Sequence, residues 1–478
     1  MSIRKNFAYN AALTISNFIF PLIVFPYVSR TLGVSNIGLC GFVDSIINYF
    51  ILFSMLGISI IGIREVAKNK NTPKKLESIF SSLFTLNAIS TFLMLIILIL
   101  LSNYVPRLIE NKEFMFLGGL KLISNLFLIE WFFRGIENFK FITIRSILVK
   151  TFFVISVFIF VRDQYDVLIY YGLITSMVAL NAFLNWSYRK RLVNLNFKSI
   201  TFKPFIKSFF ILGLYMVFTS MYTTFNVAYL GFTSGDVEVG YYATAVKIYE
   251  LTLAIFTAFT AVMLPRISSL VSEGKFDDLN KLISSSYNIL ITFSIPLIII
   301  LLIFTPQIIL IIAGQGFEGA ILPMRIISPL ILIIGIEQIL IIQLMMPYKM
   351  DKVILRNSVI GATLGIILNI VLVPSMKSTG SAIVWLSSEI LVLISAHLYI
   401  KKSLKINFPL NKILLNIIYS FPVVVFCVGI QTLTKFPPIF SILLSALLTL
   451  IYFLFLHICI IKNNMIIEQL KLIKKKIF

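Results

Sequence analysis

Residues 79–102 read IFSSLFTLNAISTFLMLIILILLS and contain no charged side chain. A helix of this kind can cross the hydrocarbon core of a bilayer, which is about 30 Å thick and needs roughly 20 apolar residues. Similar runs recur along the 478 residues, separated by short polar loops. The stretch therefore predicts one of a series of membrane-spanning helices.

The same pattern over the whole chain predicts about fourteen transmembrane helices. They cover residues 8–28, 37–61, 79–102, 114–133, 141–161, 167–186, 208–230, 241–264, 282–304, 321–346, 357–373, 381–400, 413–430 and 439–461. Composition agrees, because 59% of the residues are apolar and only 13% are charged, against about 25% charged in soluble domains. We therefore predict an all-α polytopic membrane protein in which no loop forms a separate domain.

Basic residues are unequally distributed between the two sides of the predicted bundle. With the N-terminus inside, 30 of the 41 Lys and Arg residues lie on the cytoplasmic side, 6 on the outer side and 5 within spans. Short loops rich in Lys and Arg are retained in the cytoplasm. The sequence therefore predicts that both termini are cytoplasmic and that the membrane is the bacterial inner membrane. The net charge of +21 then reflects topology and contact with anionic lipid, and no nucleic acid is expected as a partner.

The chain also contains a weak internal repeat. A shift of 202 positions places Gly38 on Gly240, and a shift of 211 places Arg145 on Arg356. Repeats of this kind place a substrate site at the interface between the two halves. We predict an N-terminal lobe, a C-terminal lobe and two additional spans with a basic cytoplasmic tail, in residues 1–207, 208–412 and 413–478.

Three stretches resemble a known group of proteins. Residues 20–50 (FPLIVFPYVSRTLGVSNIGLCGFVDSIINYF), 57–70 (GISIIGIREVAKNK) and 130–146 (EWFFRGIENFKFITIRS) are similar to polysaccharide transporters, the Wzx-type flippases of the MOP superfamily. SRTLG and WFFRGIENFK are the most specific segments. The resemblance implies two lobes around a central cavity that opens alternately to each side. It also implies that the substrate is an undecaprenyl-diphosphate-linked oligosaccharide.

Charged residues within the predicted spans are candidate functional residues, because a charge at the bilayer centre costs about 3 kcal/mol or more. The cations are Lys121, Arg145, Lys150, Lys247 and Arg325, and the acids are Asp44, Glu130, Glu250, Glu337 and Glu389. Arg145 and Glu130 are expected near the membrane surface. The candidates for a cationic cavity that binds the diphosphate are Lys121, Lys150, Lys247 and Arg325.

The buried acids admit two interpretations. Asp44, Glu250 and Glu337 are candidates for a coupling-ion site. Alternatively, Lys247 and Glu250 neutralise each other one turn apart, while Asp44 and Glu337 pair with cations across the bundle.

Two polar stripes lie on repeat-related helices and are candidates for lining the cavity. Their members are Asn10, Thr14 and Asn17 on the first span, and Tyr215, Thr219, Tyr222 and Asn226 on the seventh. Spacings of three and four residues place each set on one helix face. Hydrogen bonding between helices is the alternative role for such stripes.

The sequence lacks a Ser–His–Asp set, a metal cluster and a P-loop, so we expect no catalytic residue, metal or cofactor. A GxGxxG pattern at Gly314, Gly316 and Gly319 lies in a loop between spans, without the strand that a dinucleotide site requires. A membrane-embedded glycosyltransferase or ligase is not expected, because it would need catalytic acids and a large extramembrane loop, and no loop in this sequence is large enough.

We therefore predict a flippase that moves lipid-linked oligosaccharide to the outer leaflet by alternating access, beside polysaccharide polymerase machinery. It would serve the synthesis of O-antigen, a component of lipopolysaccharide, or of capsule. The alternative is a MATE-type ion-coupled multidrug antiporter. The deep lysines count against that alternative, because they would repel a cationic drug.

Overall fold

The computed structural model describes residues 3–434 and 436–456. Within these residues every regular element is a helix. Ten helices are long and apolar enough to cross a membrane, or eleven if the bent pair Lys203–Ser220 and Thr224–Ser234 forms one span. The prediction of an all-helical multi-pass membrane protein is confirmed. The basic tail that includes Lys471 and Lys474 lies outside the described residues.

The first part of the chain forms eight α-helices. They are α1 Ile3–Met55, α2 Ile58–Asn69, α3 Pro73–Tyr104, α4 Pro106–Glu110, α5 Lys112–Leu128, α6 Glu130–Gly135, α7 Phe139–Phe160 and α8 Val167–Arg189. The predicted spans 8–28 and 37–61 both fall largely in α1, which is interrupted only at Gly33 (φ 78°, ψ 171°). The second of these spans ends at Met55 rather than at residue 61, because Leu56 adopts a positive φ of 37° before α2 begins.

The remaining α-helices are α9 to α18. They are α9 Lys203–Ser220, α10 Thr224–Ser234, α11 Asp236–Ser272, α12 Phe276–Ile312, α13 Ile321–Ile327, α14 Leu330–Gln338, α15 Asp351–Leu404, α16 Leu410–Tyr419, α17 Phe421–Leu433 and α18 Pro438–Phe455. A π-helix at Ile339–Met345 follows α14, and short 3-10 helices occupy Gln164–Asp166, Phe197–Ser199 and Glu318–Ala320. The predicted span 208–230 is divided between α9 and α10, which meet at 49°. Inside α15, Lys377 breaks the helix with φ 51° and ψ −129°.

The internal repeat has a structural counterpart at two pairs of glycines. Gly235, which separates α10 from α11, has φ 89° and ψ 176°, close to the conformation of Gly33, 202 positions earlier. Glycine adopts a positive φ without the penalty that a Cβ imposes. An added Cβ on Gly38 would lie 1.7 Å from the Asp236 carbonyl oxygen, and one on Gly240 would lie 2.2 Å from the Val34 carbonyl oxygen. Because both glycines lack a side chain, α1 and α11 pack backbone against backbone.

Large apolar side chains cover much of the outer surface. Phe92, Phe116 and Leu148 are 65%, 68% and 65% exposed. Contiguous apolar surface on this scale marks contact with another apolar phase. Helices can present such a surface to lipid because their backbone polar groups are bonded internally. The exposed faces of the bundle are therefore suited to the hydrocarbon core of a bilayer.

Candidate functional site

The first charged cluster joins α1, α5 and α8. Lys121 Nζ lies 2.7 Å from Asp44 Oδ1. Tyr171 donates its hydroxyl hydrogen to the same carboxylate oxygen at 2.9 Å. Lys121 and Tyr171 are buried, with 8% and 0% of their surface exposed. One cation, one anion and one neutral donor thus form a closed set, and the cluster has no net charge.

Lys150 has no acidic partner in the described part of the chain. Its ammonium group donates to Ser16 Oγ at 3.3 Å and to Asn17 Oδ1, both on α1. The ammonium also lies 5.9 Å from the centre of the Phe20 ring. Because these partners are neutral, no described carboxylate forms an ion pair with the half-buried lysine, and its ammonium group is open to an anionic ligand.

The other predicted cations are arranged differently. Lys247 Nζ lies 3.7 Å from Glu250 Oε2, and these side chains are 35% and 55% exposed. Arg325 is exposed and donates from Nε to the Leu302 carbonyl oxygen at 3.2 Å. The contacts of Lys121, Lys150 and Lys247 share no partner, so they do not join the three lysines into one cluster.

Arg145 and Glu130 form an ion pair at the junction of α6 and α7. Arg145 Nη2 lies 3.0 Å from Glu130 Oε1, and Arg134 contacts the other carboxylate oxygen at 3.4 Å. Arg145 is only 4% exposed, and its Nε atom has no hydrogen-bond partner. The arginine is therefore more enclosed than a residue at a free surface.

The second acidic site joins α14 and α15. Glu337 and Glu389 are each 6% exposed, and their carboxyl groups are close neighbours. Trp385 donates from its indole nitrogen to Glu389 Oε1 at 3.0 Å, whereas Glu337 Oε1 has no partner. Neither acid forms an ion pair within residues 3–434 and 436–456. A bond between two carboxyl groups requires a proton, because two carboxylates offer only acceptors.

The two polar stripes differ in burial. On α1, Asn10 and Asn17 are exposed and Thr14 is partly buried. Thr14 donates to the backbone carbonyl of Asn10 at 2.9 Å. Asn17 is thus the member of this stripe that contacts a charged side chain.

The stripe on α9 and α10 is more enclosed. Asn226 is fully buried and donates to the Ser381 carbonyl oxygen at 2.7 Å and to the Tyr242 hydroxyl at 3.2 Å. Tyr222 is 4% exposed, while Tyr215 and Thr219 are partly buried. Asn226 therefore joins neighbouring helices within the core.

The SRTLG segment joins α1 to the far end of α12. Ser29 donates to the Ile312 carbonyl oxygen at 3.3 Å, and Arg30 donates to the Leu310 carbonyl at 3.4 Å and to the Ile311 carbonyl. The last carbonyls of a helix lack internal partners and carry partial negative charge. The arginine therefore binds the C-terminal end of α12, and Gly33 ends the first part of α1.

An ion pair lies near the same break in α1. Arg107 Nη2 lies 2.6 Å from Asp236 Oδ1, and the Arg107 guanidinium lies 4.6 Å from the Phe42 ring centre. Just after the C-terminal end of α1, the contacts are apolar: Gly57 lies against Leu212, and Gly213 lies against Leu56. The first and second parts of the chain thus touch at both ends of the segment of α1 that follows Gly33, through charges at one end and through small and aliphatic residues at the other.

Sequence reasoning included Glu389 among the buried charges but gave it no role, and it did not identify Tyr171, Ser16 or Trp385. The pairing of Glu337 with Glu389 is not visible in sequence because the residues are 52 positions apart on different helices. The Arg107–Asp236 pair left a signal, since both residues lie just outside predicted spans on the same side of the membrane. Among the described residues, no group of three His, Cys, Asp or Glu side chains could hold a metal ion.

The membrane-length helices and the charged side chains between them describe a polytopic membrane protein. The family described as "Polysaccharide biosynthesis protein" matches residues 3–271. The chain belongs to this family, and the resemblance predicted from sequence is confirmed.

One relative and two solved structures are similar to this chain. The chain is 28% identical over 404 residues to an Escherichia coli (strain K12) protein named "Putative O-antigen transporter", covering 82% of this chain and 95% of that protein. Lipid II flippase MurJ in an inward closed conformation shares the fold with a TM-score of 0.77 and 18% identity, covering 95% of this chain and 100% of that one. An inward-facing multidrug resistance MATE family transporter shares the fold with a TM-score of 0.63 and 12% identity, covering 81% of this chain and 94% of that one.

Proposed function

We propose that this chain is a flippase that moves undecaprenyl-diphosphate-linked oligosaccharide from the cytoplasmic to the outer leaflet for O-antigen or capsule synthesis. The observation that carries the proposal is Lys150, which alone among the three predicted deep lysines lacks an acidic partner in the described residues. Family membership and the named O-antigen transporter relative support the same substrate class.

The chemistry of Lys150 suits a diphosphate. An ammonium group is a compact point charge with three donors, and charge-assisted bonds to phosphate oxygens are about twice as strong as neutral ones. Ser16 and Asn17 hold the ammonium on the polar side of α1. The exposed Asn10 and Asn17, with Thr14, would line the path of the sugars, whose hydroxyl groups exchange hydrogen bonds with amides. Arg325 and Lys247 would then be secondary contacts.

The topology that goes with this function has fourteen spans and cytoplasmic termini in the bacterial inner membrane. The ten candidate spans would become fourteen if α1 and α15 each crossed the membrane twice, and if the α9–α10 pair and the long helix α11 each crossed it once. The N-terminal lobe would comprise residues 1–207, the C-terminal lobe 208–412, and the remaining residues 413–478 would add two spans. The matching glycines Gly33 and Gly235 support the division into two related lobes.

The Glu337–Glu389 pair is the proposed coupling site. Two adjacent buried carboxyl groups retain a proton unless a cation takes its place. Release of that proton during the transport cycle would leave a net negative charge in the C-terminal lobe and so link flipping to the proton gradient. The fixed Asp44–Lys121 pair is less suited to this task, because its charges already cancel. Glu250 is exposed and bonded to Lys247 and has the same limitation.

A MATE-type multidrug antiporter is the second candidate, and the carboxyl pair is the observation that favours it. An acidic site without a cation would attract a cationic drug. Lys150 opposes that function, because a free ammonium group would repel the same drug. Polysaccharide polymerase machinery would be a partner only of the flippase.

Substitution of Lys150 tests the proposal. Lys150→Gln removes the charge and keeps the hydrogen-bonding capacity, so we expect flipping of the diphosphate-linked oligosaccharide in vesicles to fall about tenfold, the loss of about 1.4 kcal/mol of binding. Lys150→Arg should keep most activity. Lys281→Gln, a matched change at an 81% exposed side chain on α12, should leave flipping unchanged. Full activity of Lys150→Gln would remove the observation on which the proposal rests.

A further inference from the structure

Two cavities on the surface of the bundle are lined by residues at three equivalent positions of the internal repeat. The first, about 720 Å³, lies between α7 and α8, and the second, about 620 Å³, lies between the two segments of α15. A shift of 211 positions converts the first set of lining residues into the second: Arg145, Tyr188 and Arg191 become Arg356, Tyr399 and Lys402. Each cavity therefore contains a cation, a tyrosine and a second cation.

Both cavities lie at the same end of their helices. The first combines residues near the start of α7 with residues near the end of α8. The second combines residues near the start of α15 with residues near the end of α15. In the topology proposed above, this end is the cytoplasmic one. The cavities are thus placed at the depth of the headgroups of the cytoplasmic leaflet.

The charges in both cavities are largely unpaired. Arg191 and Lys140 in the first cavity form no ion pair with any described residue, and neither do Arg356 and Lys402 in the second. Arg145 is bonded to Glu130 at 3.0 Å, which also binds Arg134, and no other acidic side chain lines either cavity. Both cavities therefore carry a net positive charge.

The tyrosines hold these cations in place. The Arg191 guanidinium lies 6.0 Å from the centre of the Tyr188 ring, and the Arg356 guanidinium lies 5.4 Å from the centre of the Tyr399 ring. A phosphate group offers the acceptors that these guanidinium groups lack.

Each cavity opens beside exposed apolar side chains. Ile144 and Leu148 are 44% and 65% exposed at the first, and Ile394 and Leu398 are 47% and 61% exposed at the second. Lys150 lies on another face of α7, because it is two positions from Leu148 and each helical residue turns by about 100°. Lys150 contacts α1, whereas the cavity faces the outside of the bundle. The cavities are therefore distinct from the proposed substrate path.

We propose that each cavity binds one anionic phospholipid of the cytoplasmic leaflet. The phosphate group would lie between the two cations and the tyrosine, and the acyl chains would follow the exposed apolar stripe. Basic pockets between transmembrane helices on the cytoplasmic side have this affinity for lipid phosphates. The pair of sites would tie both halves of the protein to the same leaflet. The inference depends on the proposed topology but not on the identity of the transported substrate.

Native mass spectrometry of the purified full-length protein tests this proposal, with phosphatidylglycerol, phosphatidylcholine and undecaprenyl diphosphate as separate probes. We expect two phosphatidylglycerol molecules to be retained in excess of phosphatidylcholine. Arg191→Gln and Lys402→Gln should each remove one of them, with about tenfold weaker binding at the altered site, and the double variant should retain neither. Arg191→Lys and Lys402→Arg should retain both, and Lys281→Gln should match the unaltered protein.

Two results would overturn the proposal. One is a double variant that retains as much phosphatidylglycerol as the unaltered protein. The other is loss of undecaprenyl diphosphate, rather than phosphatidylglycerol, from the double variant, which would assign the cavities to the substrate. Thermal unfolding of the unaltered protein gives a check without any variant, because phosphatidylglycerol should raise the unfolding temperature more than phosphatidylcholine does. A chain that binds phosphatidylglycerol but does not flip oligosaccharide would contradict the proposed function and leave this inference intact.

Discussion

The two acidic sites balance their negative charge in opposite ways. Asp44 forms an ion pair with Lys121 at 2.7 Å and accepts a hydrogen bond from the Tyr171 hydroxyl at 2.9 Å. Glu337 instead contacts a second acid, Glu389, and has one carboxyl oxygen without a partner. The first site is balanced by protein charges, whereas the second is balanced only by a proton or a bound cation. This difference indicates which site can change its charge during a transport cycle.

The Asp44 site and the Glu337 site should respond differently to the loss of one charged side chain. Removal of a cation from a balanced buried pair leaves an uncompensated charge, which is a cost in stability. Removal of one acid from a carboxyl pair takes away a charge that already required compensation. We therefore expect the Asp44 site to govern folding and the Glu337 site to govern coupling.

The largest expected effect is that of Lys121→Met. It should lower the free energy of unfolding by about 2 kcal/mol, below the range for a fully buried ion pair, because Asp44 would lose its cation while its side chain is 32% exposed. Thermal unfolding of the purified protein measures the loss. The double variant Lys121→Met with Asp44→Asn should recover most of it. An unfolding temperature equal to that of the unaltered protein would show that the two sites do not differ as described.

The next effect is that of Glu337→Gln on transport. The glutamine amide can donate to Glu389 in place of the shared proton, so we expect normal yield and an unfolding temperature no lower than that of the unaltered protein. The stimulation of flipping by an imposed pH gradient should be lost, a fall of about tenfold, or 1.4 kcal/mol, in the gradient-driven rate. Glu250→Gln is the control and should keep the stimulation. A Glu337→Gln protein that still responds to the gradient would remove Glu337 as the coupling site.

The fold could be predicted from sequence because a membrane helix is determined by local composition. The apolar runs give most helices to within a few residues, and Arg145 and Arg356 already indicated a repeat. The interruption of α1 at Gly33 lies between the predicted spans 8–28 and 37–61, although a single residue with positive φ separates the segments where a longer loop was expected. The divisions at Ile129 and between α9 and α10 also depend on backbone conformation rather than hydropathy.

The candidate site was less predictable, because its contacts join residues far apart in the sequence. Asp44 and Lys121 are 77 positions apart, and both substrate binding and charge pairing suited them before the structure was known. The i, i+3 relation of Lys247 and Glu250 was local and could be identified in advance. That no described cation forms an ion pair with Glu337 could not be identified in advance, because it depends on every helix that packs around this residue.

The smallest expected effect is that of Lys247→Gln. Its ion pair with Glu250 is long, at 3.7 Å, and both side chains are substantially exposed. Pairs of this kind on one helix contribute about 0.3 kcal/mol, so the unfolding temperature should stay within the error of the measurement. The contrast with Lys121→Met separates a partly exposed pair from a buried one. A loss as large as that of Lys121→Met would mean that Lys247 is enclosed in the membrane and not in contact with water.

The most direct test of the central claim is flipping by the unaltered protein in vesicles. Undecaprenyl-diphosphate-linked oligosaccharide would be placed in both leaflets, and its accessibility to an impermeant glycosidase would be followed under an imposed pH gradient. The account predicts that vesicles with the protein expose oligosaccharide faster than empty vesicles, and faster still with the gradient. Vesicles that match the empty ones but transport a cationic dye would contradict the account and identify a drug antiporter.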